Sequence, residues 1–463
     1  MRRPMPGLLA MSLAACAGPN IATTRVAPVA PPLGWRTDAG PTAPVEREWW
    51  RSFGDPVMAA LIEKALANNT DIAIAAARVR EAQANLSLAR AQTLPTIDAS
   101  LSGQRSRSVS PFLQPSESSS AQPQIQIAYE VDLFGRLADQ KSAARDAYFA
   151  SQVARDSVRL SIAAAVASNY VTLRSLDARL AVGRQTVSAR SESLRIARSR
   201  VGRGYSPKLE LDQAQAEYDA TAQIVPQIEL AIARTEDGLS LLTGETPAAI
   251  DRGVALDQMT VPAVPAGLPS ELLRRRPDVA QAEYQLAASD RSLAAARKRF
   301  LPQVRLTSAA GAAFSTLLKD PISIWSIGGS ILAPIFEGGR LTAQAEGSAA
   351  QRDQAAFVYR RTALTAFKEV EDALAAVALT DSQVTFARSQ RDALAQGLKL
   401  ATNRYREGYS PYLEQLDAQR GLLGAQLSLI QLRGDALNAR IQLFQAMGGG
   451  WSRCASKPRP AGD

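Results

Sequence analysis

The chain has 463 residues, with 53 Lys and Arg against 44 Asp and Glu, no histidine, and two cysteines, Cys16 and Cys454. The lack of histidine removes the commonest general base and metal ligand, and two distant cysteines exclude a CxxC motif or a thiol cluster. The formal charge of +9 is spread along the chain and forms no basic run, so we predict no nucleic-acid partner. Because the sequence also has no nucleophile motif and no phosphate loop, we predict neither an enzyme nor a cofactor.

The N-terminal residues have the composition of a secretory signal. Two arginines precede a short apolar segment, 7–15, which is too short to span a bilayer. The segment ends in Leu-Ala-Ala-Cys, at residues 13–16, which resembles the bacterial lipobox, where cleavage before the cysteine is followed by its lipidation. We therefore predict lipidation of Cys16, with ordinary secretory cleavage near Ala15 as the alternative. Ala17 stands where an Asp would retain such a lipoprotein in the inner membrane, so the resemblance implies an outer-membrane address.

Four segments alternate apolar and polar residues with the period of a β-strand. They lie at about 96–104, 124–133, 303–314 and 324–335. Each has about 10–12 residues, the length that crosses a bilayer when the strand is tilted. In the second segment Glu130 and Asp132 lie on the polar face, opposite Tyr129. The alternative is a half-buried strand of a soluble sheet. A Ser- and Pro-rich loop is predicted between the first two strands, from about 105 to 123.

A seven-residue segment occurs twice. Gly-Tyr-Ser-Pro-Tyr-Leu-Glu begins at Gly408, and Gly-Tyr-Ser-Pro-Lys-Leu-Glu begins at Gly204. Since Gly and Ser-Pro end one helix and begin another, each copy predicts the tip of a helical hairpin with Pro in the first turn. The proline-free tract before the first tip, about 68 residues, predicts a helix about 100 Å long. A return helix is predicted from about Pro207 to Leu242.

These patterns predict an internally duplicated, mostly α chain with membrane β-structure, in which long helical hairpins accompany four transmembrane strands. The predicted segments are a signal peptide (1–15), a lipid anchor and Pro-rich tether (16–56), a first repeat (57–244), a connector (245–269), a second repeat (270–448) and a C-terminal tail (449–463). Four strands cannot close a barrel alone, and open sheet edges are not tolerated in lipid, so symmetric association is required. Three copies would supply twelve strands, and a dimer is the alternative.

Several short stretches together resemble the TolC-type outer-membrane channels, and most closely the lipoprotein factors of RND efflux systems, the NodT-like group. They lie at 16–19, 49–56, 129–137, 268–279, 334–341, 412–420 and 448–451. The resemblance implies a homotrimer, with a twelve-strand β-barrel in the outer membrane and a twelve-helix α-barrel through the periplasm. It also implies a passive exit duct that receives small molecules from an inner-membrane RND-type pump through a periplasmic adaptor. The alternatives are a partner-independent porin-like channel and a structural periplasmic coiled-coil lipoprotein.

The resemblance further implies a periplasmic gate just after the second tip. Leu413 and Asp417 are four residues apart and share one helix face. In the resembling channels these positions form the constriction at the periplasmic end. Arg420 is one turn further on and is predicted to pair with Asp417. A solvated helix face with an intrahelical ion pair is the alternative.

The two tips are the predicted docking sites for the adaptor. They comprise Gly204, Tyr205, Ser206 and Pro207 in the first repeat and Gly408, Tyr409, Ser410 and Pro411 in the second. Their alternative role is turn chemistry alone. Glu130 and Asp132 are predicted to face the barrel lumen, and a structural polar contact is the alternative.

Overall fold

The computed structural model describes residues 21–24, 26–37, 45–109, 115–263 and 269–452. Cys16 and Cys454 lie outside these ranges. In chain order the elements are a 3₁₀ helix (Trp49–Phe53), α1 (Pro56–Asn68), α2 (Thr70–Ala91), β1 (Thr96–Val109), β2 (Pro115–Val131), α3 (Arg136–Gly202), α4 (Lys208–Ala222), α5 (Ile224–Leu242), α6 (Pro269–Arg275), α7 (Pro277–Lys298), β3 (Gln303–Ser315), β4 (Ile322–Leu332), α8 (Arg340–Arg406) and α9 (Tyr412–Ala446). Among the helices in these ranges, none combines the length and the apolar character needed to cross a membrane.

The four strands form one antiparallel sheet in the order β1-β2-β3-β4. The first two are longer than predicted, because the ladder continues until Val109 lies opposite Pro115. The prediction of a loop over 105–123 is therefore wrong for all of its described residues. In this extension the strands are paired by backbone hydrogen bonds, although the sequence there has no continuous apolar face. The hydroxyls of Ser106 and Ser118 lie 3.1 Å apart across the ladder. Strand β4 ends at Leu332, short of the predicted 335, since Pro334 cannot donate to a ladder.

The register places the apolar residues of all four strands on one face. Ile97 lies opposite Ile127, and Ala310 lies opposite Trp325. Much of this face is open in the single chain, where Ile97 is 68% exposed and Trp325 is 78% exposed. The other face carries the polar partners, with Glu130 opposite Arg305. A contiguous apolar surface on one side of a sheet marks a face that another apolar phase covers.

The two longest helices, α3 and α8, have 67 residues each. In the second half one return helix follows, α9, with 35 residues. In the first half the prediction of a continuous return helix over 207–242 is wrong, because α4 ends at Ala222 and α5 begins at Ile224. Pro226 explains the break: its ring clashes with the carbonyl four residues earlier, which belongs to Ala222, and it has no N–H to donate.

The chain divides into two compact units, and each contains segments of both repeats. The first unit comprises the described residues of 1–28, 77–152 and 281–361, and the second those of 29–76, 153–280 and 362–463. In the first unit, the sheet belongs to the same body as a small cluster in which Ile21 is buried with Leu293, Ala345 and Ala349. The core of the second unit includes an aromatic cluster, where the rings of Trp49 and Phe444 stack with centroids 5.3 Å apart.

Asp55 holds the segment before α1 and the connector together in the second unit. One carboxylate oxygen caps α1, accepting from the backbone N–H of Val57 at 2.8 Å and of Met58 at 3.0 Å. The other accepts from the Tyr170 hydroxyl and from the Val254 backbone N–H, each at 3.1 Å. Burial raises the pKa of Tyr170 to about 12, so its hydroxyl stays a donor to Asp55 at neutral pH.

Candidate functional site

Both hairpin tips have the same backbone geometry. Gly204 and Gly408 have φ values of +76° and +81°, a region that side chains with a Cβ rarely adopt. In each tip the residue after the glycine donates its N–H back to the helix: Tyr205 to the Arg200 carbonyl at 2.9 Å, and Tyr409 to the Arg404 carbonyl at 2.8 Å. These bonds satisfy carbonyls at the helix end, as in a Schellman motif.

The sequence pattern predicted the prolines of the tips within the first turn of the following helix. In the structure they lie one position earlier, at the N-caps of α4 and α9. Pro207 and Pro411 both have φ of −70° with extended ψ, and within the described part of the chain no side chain caps either helix. The tyrosines beside them point into solvent, and Tyr205 and Tyr409 are each 79% exposed. The tips therefore present two equivalent exposed aromatic rings on hydrogen-bonded turns of the same geometry.

A small apolar cluster joins the two hairpins just behind the tips. Its buried members come from α3 (Leu194 and Ala197), α4 (Ala214) and α9 (Tyr412 and Leu416). Burial raises the pKa of Tyr412, and the positive charge of Arg190 opposes this shift.

Tyr405, near the end of α8, adds polar contacts to this cluster. Its hydroxyl donates to the Glu210 carboxylate and accepts from the Arg200 guanidinium, whose Nη1 lies 2.7 Å away. The Arg200 guanidinium also lies over the Tyr405 ring, 5.1 Å from its centroid. Burial and the adjacent Glu210 carboxylate raise the pKa of Tyr405, so the phenol remains protonated and able to donate.

A buried carboxylate, that of Glu217, lies further from the tips than the apolar cluster. Glu217 accepts from the Arg420 Nε at 2.7 Å, and its other oxygen is 3.5 Å from Nη2 of Arg190. The Glu217 and Arg190 side chains are only 9% and 2% exposed. Two further guanidinium nitrogens of Arg190 are buried with no hydrogen-bond partner among the described residues, and burial lowers the pKa of Arg190. The Glu217 carboxylate is thus the group that compensates a buried cation and binds the two repeats to each other.

The predicted gate residues lie on the exposed side of α9. Leu413 is 49% exposed. The Asp417 carboxylate lies 3.8 Å from a guanidinium nitrogen of Arg420, and both side chains are more than half exposed. Arg420 therefore has Glu217 as its closer partner, and its predicted pairing with Asp417 is long and weak. Leu413 and Asp417 do share one open face of the helix.

Glu130 and Asp132 both make polar contacts within the sheet unit. The Glu130 carboxylate accepts from Arg136 at 2.6 Å, and Asp132 accepts from the backbone N–H of Ala138 at 2.8 Å in the first turn of α3. Asp132 lies beyond the end of β2, because the chain turns there and Leu133 donates its N–H to the Val131 carbonyl. The predicted end of this strand at 133 is therefore two residues too late. These contacts are the structural role that the sequence left open as an alternative.

Sequence reasoning did not identify Tyr405, Glu210, Glu217 and Arg190. A weak signal exists, since Glu210 and Glu414 are equivalent residues of the two repeated segments. The pairing itself has no sequence signal, because Tyr405 and Glu210 are 195 residues apart and Arg420 and Glu217 are 203 apart. No group of His, Cys, Asp and Glu within the described ranges has the arrangement needed to hold a metal ion.

Long paired helices, repeated tips and a single sheet with an open apolar face define a protomer of a membrane-inserted channel. The family model for outer membrane efflux proteins matches residues 61–245 and 268–449, and the chain belongs to this family. It is 35% identical over 408 residues to the solvent efflux pump outer membrane protein SrpC of Pseudomonas putida, covering 86% of this chain and 87% of that protein. It is 31% identical over 455 residues to the pyoverdine export outer membrane protein OpmQ of Pseudomonas putida, covering 96% of each.

Solved structures agree with this assignment. The outer-membrane channel OprN superposes with a TM-score of 0.85 at 27% sequence identity, covering 94% of this chain and 99% of that one. The resemblance to TolC-type efflux channels is thereby confirmed, and so is the predicted fold class of long helices with membrane β-structure. The chain is an outer-membrane efflux channel whose helices extend into the periplasm, as predicted, and it serves as the exit duct of an efflux system. Its family consists of transport proteins.

Proposed function

We propose that three copies of this chain assemble into one duct through the outer membrane. The observation that carries this proposal is the isolated four-strand sheet, in which β1 and β4 are edge strands and one face is apolar and open. Edge strands cannot remain unpaired in lipid, and joining β4 of one copy to β1 of the next removes every edge. Three such sheets supply twelve strands, an even number within the range of bacterial outer-membrane barrels.

The duct receives its cargo from a periplasmic adaptor and an inner-membrane RND-type pump, which supply small molecules and energy. The two tips support docking of the adaptor, because each presents a hydrogen-bonded turn with an exposed tyrosine, Tyr205 or Tyr409. Exposed aromatic side chains are enriched among residues that dominate protein interfaces. A porin-like channel without partners would have no use for such tips.

The periplasmic gate is formed by Leu413 and Asp417, three copies of each around the trimer axis. Their open position on α9, next to the joined tips, supports this assignment. Three leucines would form an apolar constriction, and three carboxylates would add like-charge repulsion that favours opening. Arg420 holds α9 against α4 through Glu217, so it restrains the helix that carries the gate.

The test is single-channel conductance of the purified protein in a planar bilayer. Replacing both gate residues (Leu413→Ala with Asp417→Ala) removes the constriction, and we expect conductance to rise at least about twofold because the narrowest section dominates the resistance. The matched control is Leu209→Ala, the equivalent position of the first repeat, where the leucine is 65% exposed. That control is expected to leave conductance near the wild-type value.

Two results would overturn the gate assignment. Equal opening by Leu209→Ala would place the inner helix in the first repeat, and no change in either variant would place the constriction elsewhere. Size-exclusion chromatography with light scattering on the same wild-type preparation tests the trimer separately, since a dimer would contradict the twelve-strand barrel whatever the conductance.

A further inference from the structure

The outward face of the sheet changes character along its length. Opposed residues of antiparallel strands point to the same side, and so do residues two apart in one strand. One cross-strand row on the apolar face consists of Gly103, Ala121 and Phe314. The next row on the same face contains Arg105 opposite Ser119. The apolar face is therefore followed directly by a cationic one.

The following cross-strand row on this face is also charged. It places Arg107 opposite Glu117, again on the outward face. Arg105 and Arg107 share this one carboxylate, with nitrogen–oxygen distances of 3.3 Å and 3.7 Å. The arginine side chains are 78% and 70% exposed, so the pairs are open to solvent and weak. The group has a net charge of one positive unit, and both guanidiniums remain accessible.

The depth of these rows matches the polar layer of a bilayer. From Val304 to Phe314 the apolar face of β3 spans ten residue steps, which at about 3.3 Å each and a tilt of about 40° gives about 25 Å, the height of a barrel's apolar band. Phe314 lies at the outer end of this band, where an aromatic girdle occurs in membrane barrels. With the same tilt, Arg105 and Arg107 lie about 5 and 10 Å beyond the Phe314 row along the membrane normal, at the level of the headgroups.

The orientation identifies the leaflet. Strands β1 and β2 meet α2 and α3 at Thr96 and Val131, and the helices of this channel extend into the periplasm. The opposite end of the β1–β2 hairpin therefore faces the cell exterior. The outer leaflet there is built of lipopolysaccharide, whose lipid A carries phosphate groups. Guanidinium groups bind phosphate through two parallel charge-assisted hydrogen bonds.

We propose that Arg105 and Arg107 form a binding site for the phosphate groups of lipid A on the outside of the barrel. Glu117 holds the two side chains in place and competes with phosphate for them. The site would fasten the β1–β2 hairpin, which extends past the apolar band, to the surrounding lipid. This inference depends on insertion of the sheet in the outer membrane and is independent of the adaptor, the pump and the gate.

The experiment is native mass spectrometry of the purified, detergent-solubilised assembly titrated with diphosphoryl lipid A or with the same lipid after enzymatic removal of its phosphates. The double variant Arg105→Gln/Arg107→Gln should bind diphosphoryl lipid A about tenfold more weakly, as expected for the loss of charge-assisted contacts. Glu117→Gln should bind it about threefold more tightly, because the competing carboxylate is gone. The control Arg195→Gln/Arg198→Gln removes two exposed arginines of α3 and should bind as wild type.

The proposal is overturned by unchanged affinity in the Arg105/Arg107 variant, by weaker binding in Glu117→Gln, or by equal binding of the phosphate-free lipid, which would show that acyl chains alone bind. An equal loss in the Arg195/Arg198 control would show a general effect of net charge and would also overturn it. Because the spectra report the intact assembly directly, a variant that fails to assemble is recognised, and Glu117→Gln then decides the question.

Discussion

Glu217 joins the two repeats behind the tips through buried charged contacts. It lies between two guanidiniums, one from the long helix of the first repeat and one from the return helix of the second. A buried ion pair is weak evidence for stability, since desolvation offsets most of the attraction. Removing one partner is different, because the remaining charge stays buried without compensation.

We expect Glu217→Gln to destabilise the region behind the tips by about 3–5 kcal/mol, because Arg190 would keep a buried, uncompensated charge. Hydrogen–deuterium exchange should accelerate in residues 186–222 and 405–425. The matched control is Glu192→Gln, which removes the exposed partner of Arg195 at 2.6 Å on α3 and should leave hydrogen–deuterium exchange near the wild-type rate, because exposed ion pairs contribute little. Similar exchange in the two variants would mean that the Glu217 network is no stronger than a surface ion pair.

At the scale of elements, the character that each strand residue needs, apolar or polar, depends on which side of the sheet it occupies. Ile127 lies on the open apolar face between Ile97 and Ser308, while its neighbour Gln126 lies on the polar face. A one-residue change of register would exchange every side chain between lipid and lumen. The lengths of the helices are instead set by residues that interrupt them, such as Pro226, which breaks the first return helix.

This difference between faces predicts unequal effects of the same substitution at adjacent residues. Ile127→Lys should destabilise the inserted barrel by about 2–4 kcal/mol if the residue lies near the bilayer midplane. Gln126→Lys, which points to the lumen, should be tolerated. The measurement is the fraction of assembled channel recovered from outer membranes. A greater loss in Gln126→Lys than in Ile127→Lys would contradict the assignment of the faces.

At the scale of the whole molecule, the N-terminal segment bears on how the chain is held in the membrane. Ile21, five residues after Cys16, is buried with residues of α7 and α8, and its carbonyl accepts from Arg297 at 2.8 Å. Further along, the Arg360 guanidinium donates to the Ala27 carbonyl at 2.6 Å. The described part of the tether is therefore attached to the helices by backbone contacts.

We predict that Cys16 is the acylated first residue of the mature chain, and that the barrel alone suffices for membrane insertion. Mass spectrometry of the N-terminal peptide should show acyl chains on Cys16, and Cys16→Ala should remove them while the protein stays in the membrane fraction after high-salt washing. Cys454→Ala is the control and should leave acylation unchanged. An unmodified Cys16 in the wild-type protein would contradict the predicted acylation. Release of Cys16→Ala from the membrane would contradict insertion by the barrel alone.

The sequence by itself determined the features that arise from a few neighbouring residues. Gly and Ser-Pro at the two tips marked the ends of the helices, and the alternation around Ile127 and Trp325 assigned the apolar face, because these signals arise from residues two to four apart. Ladder length in β1 and β2 escaped prediction, since Ser106 and Ser118 pair through the backbone. Only the tertiary structure decided that Arg420 binds Glu217 more closely than Asp417, and that Tyr405 meets Glu210. Those partners are about 200 residues apart, and their contact depends on which helix faces pack together.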